Sequence, residues 1–279
     1  MKIKNVHISI VTDCGRSDAL RYEIGAAACF ADARFSMGFF ETESFNTLHA
    51  GFVAGSHAYA PIEYFSDIAP RMQFGILVNA APGAAEGQKL RGLDNKSDGG
   101  QIYALELKNG VCVVGPNVGY NLYFFRDLIA RSFLVTVSKN SDTPYRSLEI
   151  MLPALAQVMG VRNFPGFTLT PKKLDLPEVQ NGIYVGDSDS HGNIYLASIG
   201  QEQGFVPRVG EVFTVQIGDK SIKARYTDQF FAARAGEFTL TTGSLTLAGN
   251  PVYYLIQMGG SASNFFGNPA VGTKILVQK

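Results

Sequence analysis

The pattern of apolar runs changes once along this 279-residue chain, and that change limits the fold more than any other feature. Up to about residue 165, strand-like runs alternate with helix-like stretches, which argues for a mixed or parallel sheet covered by helices. Strands are expected at 5–12, 33–39, 74–79, 101–107, 111–115 and 133–137. Helices are expected at 18–30, 46–58, 61–69, 118–131 and 146–160, the last because Leu148, Leu152, Leu155, Ala156 and Met159 recur at helical spacing. Pro165, Gly166, Pro171 and Pro177 then break the pattern. Beyond them come short β-rich runs at 181–186, 193–199, 211–217, 221–226, 237–241, 252–257 and 273–278, separated by Gly-containing turns, which is the signature of a small barrel or sandwich. The expected fold is therefore α/β, with an N-terminal α/β/α sandwich over 1–165 and a C-terminal all-β, barrel-like domain over 166–279.

The charge balance narrows the partners. With 24 basic and 24 acidic side chains and no block of like charge, the chain carries no electrostatic footprint for nucleic acid or an acidic membrane. A small molecule or another copy of the chain is the expected partner. Cys14, Cys29 and Cys112 are odd in number and lack metal-ligand spacing, and neither a signal peptide nor an apolar run of about 18 residues stands out. The expectation is a cytoplasmic protein with free thiols.

Within the N-terminal half, Asp13 closes the apolar run from Val6 to Thr12 and opens the loop Asp13-Cys-Gly-Arg-Ser-Asp18 ahead of a helical stretch. The carboxyl end of a first strand is where open α/β sheets place ligand contacts. A carboxylate there can accept both hydroxyls of a ribose, and it serves equally as an ordinary capping residue in a βα loop.

Four segments, in this order, carry a resemblance: the Thr12–Asp18 loop, Val113-Val-Gly-Pro-Asn-Val-Gly119, Asp189-Ser-His-Gly-Asn193 and Gly259-Gly-Ser-Ala262. Together they resemble the S-adenosylmethionine (SAM) hydroxide adenosyltransferases, the family that also contains fluorinase and chlorinase, over nearly the whole chain. The resemblance implies an enzyme in which a nucleophile attacks the ribose C5′ of SAM and expels methionine, with SAM as substrate and no separate cofactor. It also implies a homo-oligomer, a trimer, with each site shared between subunits. Residue by residue, Asp13 matches the carboxylate on the ribose diol and Asp18 one near the methionine ammonium. Asp189 and Asn193 match a pair at the ammonium and the adenine edge; Gly259, Gly260 and Ser261 match the segment against adenine. Phe45 falls where the halogenases place an aromatic ring against the ligand. The bland alternatives stay open: Asp189–Asn193 also has the composition of a hairpin turn, and Gly259–Ala262 also reads as a helix entry capped by Ser261.

The departures from that family are as informative. Its hydrolytic Asp corresponds to Asn79, its Arg falls near Glu86, and its His falls near Tyr145 or Arg146, in the stretch Pro144-Tyr-Arg-Ser147. Lys89 and Arg91, in the segment 83–100, are candidate replacements for the lost cation. An amide cannot take a proton from water, so Asn79 argues against efficient hydrolysis. The candidate catalytic residues are Asn79, Tyr145 and Arg146, acting on an anionic nucleophile, either a halide or the carboxylate of SAM itself. Two alternatives remain: a hydrolase with a relocated base, and a protein that binds SAM or adenosine without turnover. His7, His49 and His57 read as structural, and His191 lies inside the Asp189–Asn193 turn.

Overall fold

The computed structural model describes residues 4–65, 72–80, 100–138, 143, 145–200, 206–230, 232–247 and 250–279, the side chains of 59–65 excepted. It divides into two compact units, Met1–Pro177 and Glu178–Lys279.

The first unit is built on a seven-stranded sheet. Its strands are β1 (Lys4–Thr12), β2 (Ala33–Glu41), β3 (Met72–Asn79), β4 (Ile102–Leu107), β5 (Cys112–Pro116), β6 (Ile129–Val137) and β7 (Phe167–Pro171), in the order β2-β1-β3-β5-β4-β6-β7. The four strands β2, β1, β3 and β5 run parallel, while β4, β6 and β7 pair antiparallel with their neighbours. Burial on both faces explains the near-continuous apolar runs Phe74–Val78 of β3 and Cys112–Val114 of β5. On one face Val6, Ile8 and Ile10 of β1 and Leu77 of β3 pack with Tyr22 and Ala26 of α1 (Ala19–Cys29) and with Leu152 and Leu155 of α3 (Leu152–Val158). On the other face Val11, Ile76 and Val78 meet Ala50, Ala54 and Ala58, which recur every fourth residue along α2 (Thr47–Phe65). Small side chains at that spacing let the helix lie close to the sheet.

After β1 the chain crosses by α1 to β2 on one side; after β2 it crosses by α2 to β3 on the other. The crevice between the carboxyl ends of β1 and β3 is thus a topological switch point, where open α/β sheets take their ligands.

Several expectations change at this level. The helix expected over 118–131 is replaced by a short 3-10 turn, Tyr123–Phe125, and by β6, which begins at Ile129. The apolar run there is buried, with Leu122, Phe124 and Phe125 all inside, and a buried run of that length carries no period of its own. The helix expected from 46 to 58 continues to Phe65; residues 66–69 of the one expected at 61–69 lie outside the described residues. The first unit extends beyond 165 to Pro177, because Phe167–Pro171 pairs with β6 and becomes the edge of the sheet. A proline is tolerated at the end of an edge strand, which is why Pro171 does not prevent that pairing.

The second unit is a closed seven-stranded barrel of β8 (Gly182–Ser188), β9 (Ile194–Ile199), β10 (Val212–Ile217), β11 (Lys220–Thr227), β12 (Phe238–Leu247), β13 (Asn250–Gln257) and β14 (Lys274–Gln278). Alternate side chains point inward, as the strand period of two requires: Val185, Ile194, Leu196, Phe213, Val215, Leu240 and Leu255 form its core. A single helical turn, α4 (Ala262–Phe265), adds Ala262 and the following Phe266 to that core. The fold is accordingly the α/β domain plus barrel that the sequence pattern implied.

Candidate functional site

In the first unit the site is the switch-point crevice. Thr12 stands in register with Glu41 on one side and Asn79 on the other, so the ends of β2, β1 and β3 finish level. The backbone N–H of Asp13 donates to Asn79 O at 3.3 Å, carrying the contact one residue past the sheet. Gly15 then turns the chain with φ 72°, a left-handed conformation that a side chain would strain, and a 3-10 turn, Arg16–Asp18, leads into α1. The carboxylate of Asp13 accepts the backbone N–H of Phe45 at 3.0 Å. Phe45 itself has φ 60°, and 60% of it is exposed. A large apolar residue held exposed in a left-handed conformation is strained, and such strain clusters at ligand sites.

Asn79 is anchored through its amide nitrogen. Nδ2 donates to the Tyr22 hydroxyl at 2.8 Å and lies 3.3 Å from Cys14 Sγ and 3.4 Å from Thr12 Oγ1. Tyr22 comes from α1, is only 2% exposed, and packs its ring 5.9 Å from Phe39. Burial pushes its hydroxyl up to about 12, against hydrogen bonds with Ser147, Thr12 and Asn79 that favour ionisation. The Cys14 thiol is likewise pushed up, chiefly by burial. Both groups therefore stay protonated at neutral pH.

The remaining N-terminal candidates lie beside this core. Asp18 pairs with Arg21 at 3.0 Å, and the Arg21 guanidinium sits 6.0 Å from the ring of Tyr145, which is exposed. Arg146 immediately precedes a π-helical turn, Ser147–Met151, that runs into α3, and its guanidinium donates to Gly100 O at 2.9 Å. Local π turns recur at functional sites because the extra residue re-aims neighbouring side chains. Glu86, Lys89, Arg91 and Pro144 lie outside the described residues.

Of the histidines of this unit, His49 braces the turn that carries Phe45. His49 Nδ1 accepts the Glu43 N–H at 3.0 Å. His57 Nδ1 is 3.3 Å from Ser9 Oγ, its ring meets Phe40 edge-on at 4.0 Å, and burial, with a smaller contribution from His7, pushes it down to about 4. Asn117, from the Gly-Pro-Asn turn, ties β5 to the chain ahead of the barrel by donating to Asp175 O at 2.7 Å, a structural role.

In the second unit Asp189 organises the β8–β9 hairpin. One carboxylate oxygen accepts the backbone N–H groups of His191 and Asn193, each at 2.9 Å; the other accepts Asn193 Nδ2 at 2.8 Å and the Tyr195 hydroxyl at 3.0 Å. Burial opposes ionisation of Asp189, but these four donors outweigh it and hold the carboxyl below its ordinary range. Asp189 thus fixes Asn193, and the hairpin-turn reading is realised. The helix-cap reading is realised as well: the Ser261 hydroxyl accepts the Asn264 N–H at 3.0 Å. The two segments touch, because Gly192, at φ 78°, lies so close to Ser261 that an added methyl would overlap its hydroxyl. Ser263 N–H also donates to Gly192 O at 2.9 Å. Gly259, with φ 72°, and Gly260, whose N–H donates to Gln257 O at 3.0 Å, form the turn that leads into that cap.

The structure therefore gathers Asp13, Phe45 and Asn79 in one unit and Asp189, Asn193 and Gly259–Ser261 in the other. Sequence reasoning missed Tyr22 and Tyr195. Each is a tyrosine on an element beside a candidate polar residue, and a buried tyrosine hydroxyl usually has a partner, which was the available signal.

No protein-family model matches the chain, and no curated protein matches it. Solved structures do. An uncharacterized conserved protein from Thermotoga maritima superposes with TM-score 0.66 at 19% identity, covering 98% of this chain and 100% of that one. A conserved hypothetical protein from Thermus thermophilus gives TM-score 0.61 at 16% identity, covering 99% of this chain and 100% of that one. At such identities the likeness defines the fold alone.

Proposed function

We propose that the chain binds S-adenosylmethionine and cleaves its C5′–S bond by displacement with an anionic nucleophile. The observation that carries this reading is the pairing of Asp13 with Phe45 at the switch point, a carboxylate hydrogen-bonded to the backbone of an exposed aromatic residue. A ribose diol donates two hydrogen bonds, which a carboxylate accepts, and a flat base or sugar face fits against an aromatic ring. Asp18 and Tyr145 approach one another through Arg21, and in this reading the neighbouring Arg146 holds the anion or the SAM carboxylate.

The groups gathered around Asn79 support displacement over hydrolysis. Tyr22 and Cys14 keep their protons, and Asn79 is a neutral amide, so none of the three takes a proton from water. An anion needs no base. Its electron pair forms the bond to C5′ while the C5′–S pair withdraws onto sulfur, converting the sulfonium of SAM to the neutral thioether of methionine. Positioning and exclusion of water then carry the rate. In the second unit Asn193, its amide anchored by Asp189, is assigned to the adenine edge, with Gly259, Gly260 and Ser261 beside it. A homo-oligomer, a trimer by the family resemblance, belongs to the same reading, and light scattering tests it.

A binding-only reading is favoured by one observation: the amide hydrogens of Asn79 are spent inside the protein. Incubation of the purified protein with SAM, with and without added halide, separates the two. Halide-dependent release of methionine, or an adenosine 5′-ester of methionine's carboxylate, supports displacement at C5′. SAM that binds and is recovered intact supports the binding protein. Rapid, halide-independent formation of adenosine and methionine overturns both.

A further inference from the structure

We infer that Tyr22 is a positioning residue that locks the Asn79 amide, so that the β3 end of the crevice offers the ligand a hydrogen-bond acceptor and no amide hydrogen. The inference rests on reading the crevice as a nucleoside site. An asparagine side chain is two-faced: Nδ2 carries two hydrogens, Oδ1 only lone pairs, and rotation by half a turn exchanges them. Which face the ligand meets depends on what holds the other. Here the Tyr22 hydroxyl takes one amide hydrogen at 2.8 Å, and Cys14 Sγ and Thr12 Oγ1 share the second at 3.3 and 3.4 Å.

Tyr22 is suited to this task. Its hydroxyl is buried with the helix face of the core, keeps its proton and accepts from Asn79 Nδ2 at 2.8 Å, with Ser147 and Thr12 as its other hydrogen-bond partners. Reversing Asn79 would give up all three contacts unless the Tyr22, Thr12 and Cys14 hydrogens turned toward Oδ1, and the Cys14 thiol already faces Asp13 Oδ1 at 3.9 Å. Oδ1, on the opposite edge of the amide plane, makes no hydrogen bond among the described residues, and Asn79 is only partly buried. The consequence is chemical selectivity. An acceptor at the end of β3 recognises a hydroxyl donor on the ligand, as a sugar supplies, and repels a bound anion. The displacing anion is therefore not cradled by Asn79.

Two measurements test this. The first needs no ligand: the side-chain NH₂ pair of Asn79 is identified in the ¹⁵N spectrum by its loss in Asn79→Asp, and its exchange with solvent is followed. Protection in the parent that is lost in Tyr22→Phe is the expected result; an exchange rate unchanged by Tyr22→Phe overturns the lock. The second is adenosine binding by calorimetry. Tyr22→Phe keeps the ring packing and should weaken adenosine about three- to tenfold, the range of one neutral hydrogen bond. In an Asn79→Asp background the same change should have no effect, because a carboxylate presents an acceptor in either orientation. An equal loss in both backgrounds would mark Tyr22 as structural support and overturn the inference. If the parent binds neither adenosine nor SAM, the nucleoside reading fails, while the exchange measurement still decides whether Tyr22 orients Asn79.

Discussion

The backbone N–H of Phe45, a large exposed residue at φ 60°, donates to Asp13 Oδ2 at 3.0 Å. Glycine adopts that conformation freely, and the N–H that Asp13 needs survives the change. Phe45→Gly should therefore stabilise the fold by roughly 0.5–1 kcal/mol, the left-handed penalty being partly offset by glycine's greater unfolded-state entropy. It should also weaken SAM binding by about 1–3 kcal/mol if the ring stacks on the ligand. Thermal unfolding and calorimetry on the same variant read both. A variant that is less stable, or that binds as tightly as the parent, would separate Phe45 from the site.

Asp13→Ala should cost about 1.5–3 kcal/mol of SAM or adenosine affinity, the range for a lost charged hydrogen-bond acceptor. Calorimetry at neutral pH measures it. Binding equal to the parent's would remove the ribose assignment.

His57 sets an acid limit on stability. Its folded pKa, pushed down to about 4 by burial and by His7, lies below the ordinary 6.5, so between these values the unfolded chain binds the extra proton. Stability is full above about pH 6.5 and falls as pH drops toward 4, by on the order of 3 kcal/mol. Denaturant titrations of the parent and His57→Gln across this window should show a flatter profile for the variant. Parallel profiles would mean that folding does not lower the His57 pKa.

Asp189→Ala strips the β8–β9 hairpin of an acceptor for four donors and should destabilise the barrel by at least about 1.5–3 kcal/mol. The carboxyl titrates below its ordinary range, so its contribution is present above about pH 4 and disappears as pH falls further. Gly192→Ala should destabilise the same region, through positive φ and overlap with Ser261. Chemical unfolding of each variant, followed by hydrogen exchange at Tyr195 and Asn264, checks both; unchanged protection would contradict the assignment of Asp189 as the organiser of this turn.

Much of this architecture is legible in the residues themselves. The runs Phe74–Val78 of β3 and Cys112–Val114 of β5 hold only apolar residues and glycine because both faces of the central sheet are buried, β1 alternates Val6, Ile8 and Ile10 with His7 and Ser9, and the C-terminal runs alternate because only one face of a barrel strand points inward. Asp13 and Gly15 mark a strand end by residue type alone, and Ser261 reads as a cap three residues before the N–H it accepts. Local rules suffice where the determining contact lies within a few residues.

What the tertiary structure decided is everything that depends on distant partners. Phe167–Pro171 looks like a proline-broken linker and becomes a strand because β6 supplies its hydrogen bonds; 118–131 looks helical and does not stay helical because its apolar side chains fill the core without needing one helical face. Asn79 reads as a lost aspartate. Its orientation is set by Tyr22, which lies far from it in the chain, and the direction of an amide is fixed only by the groups on both of its edges.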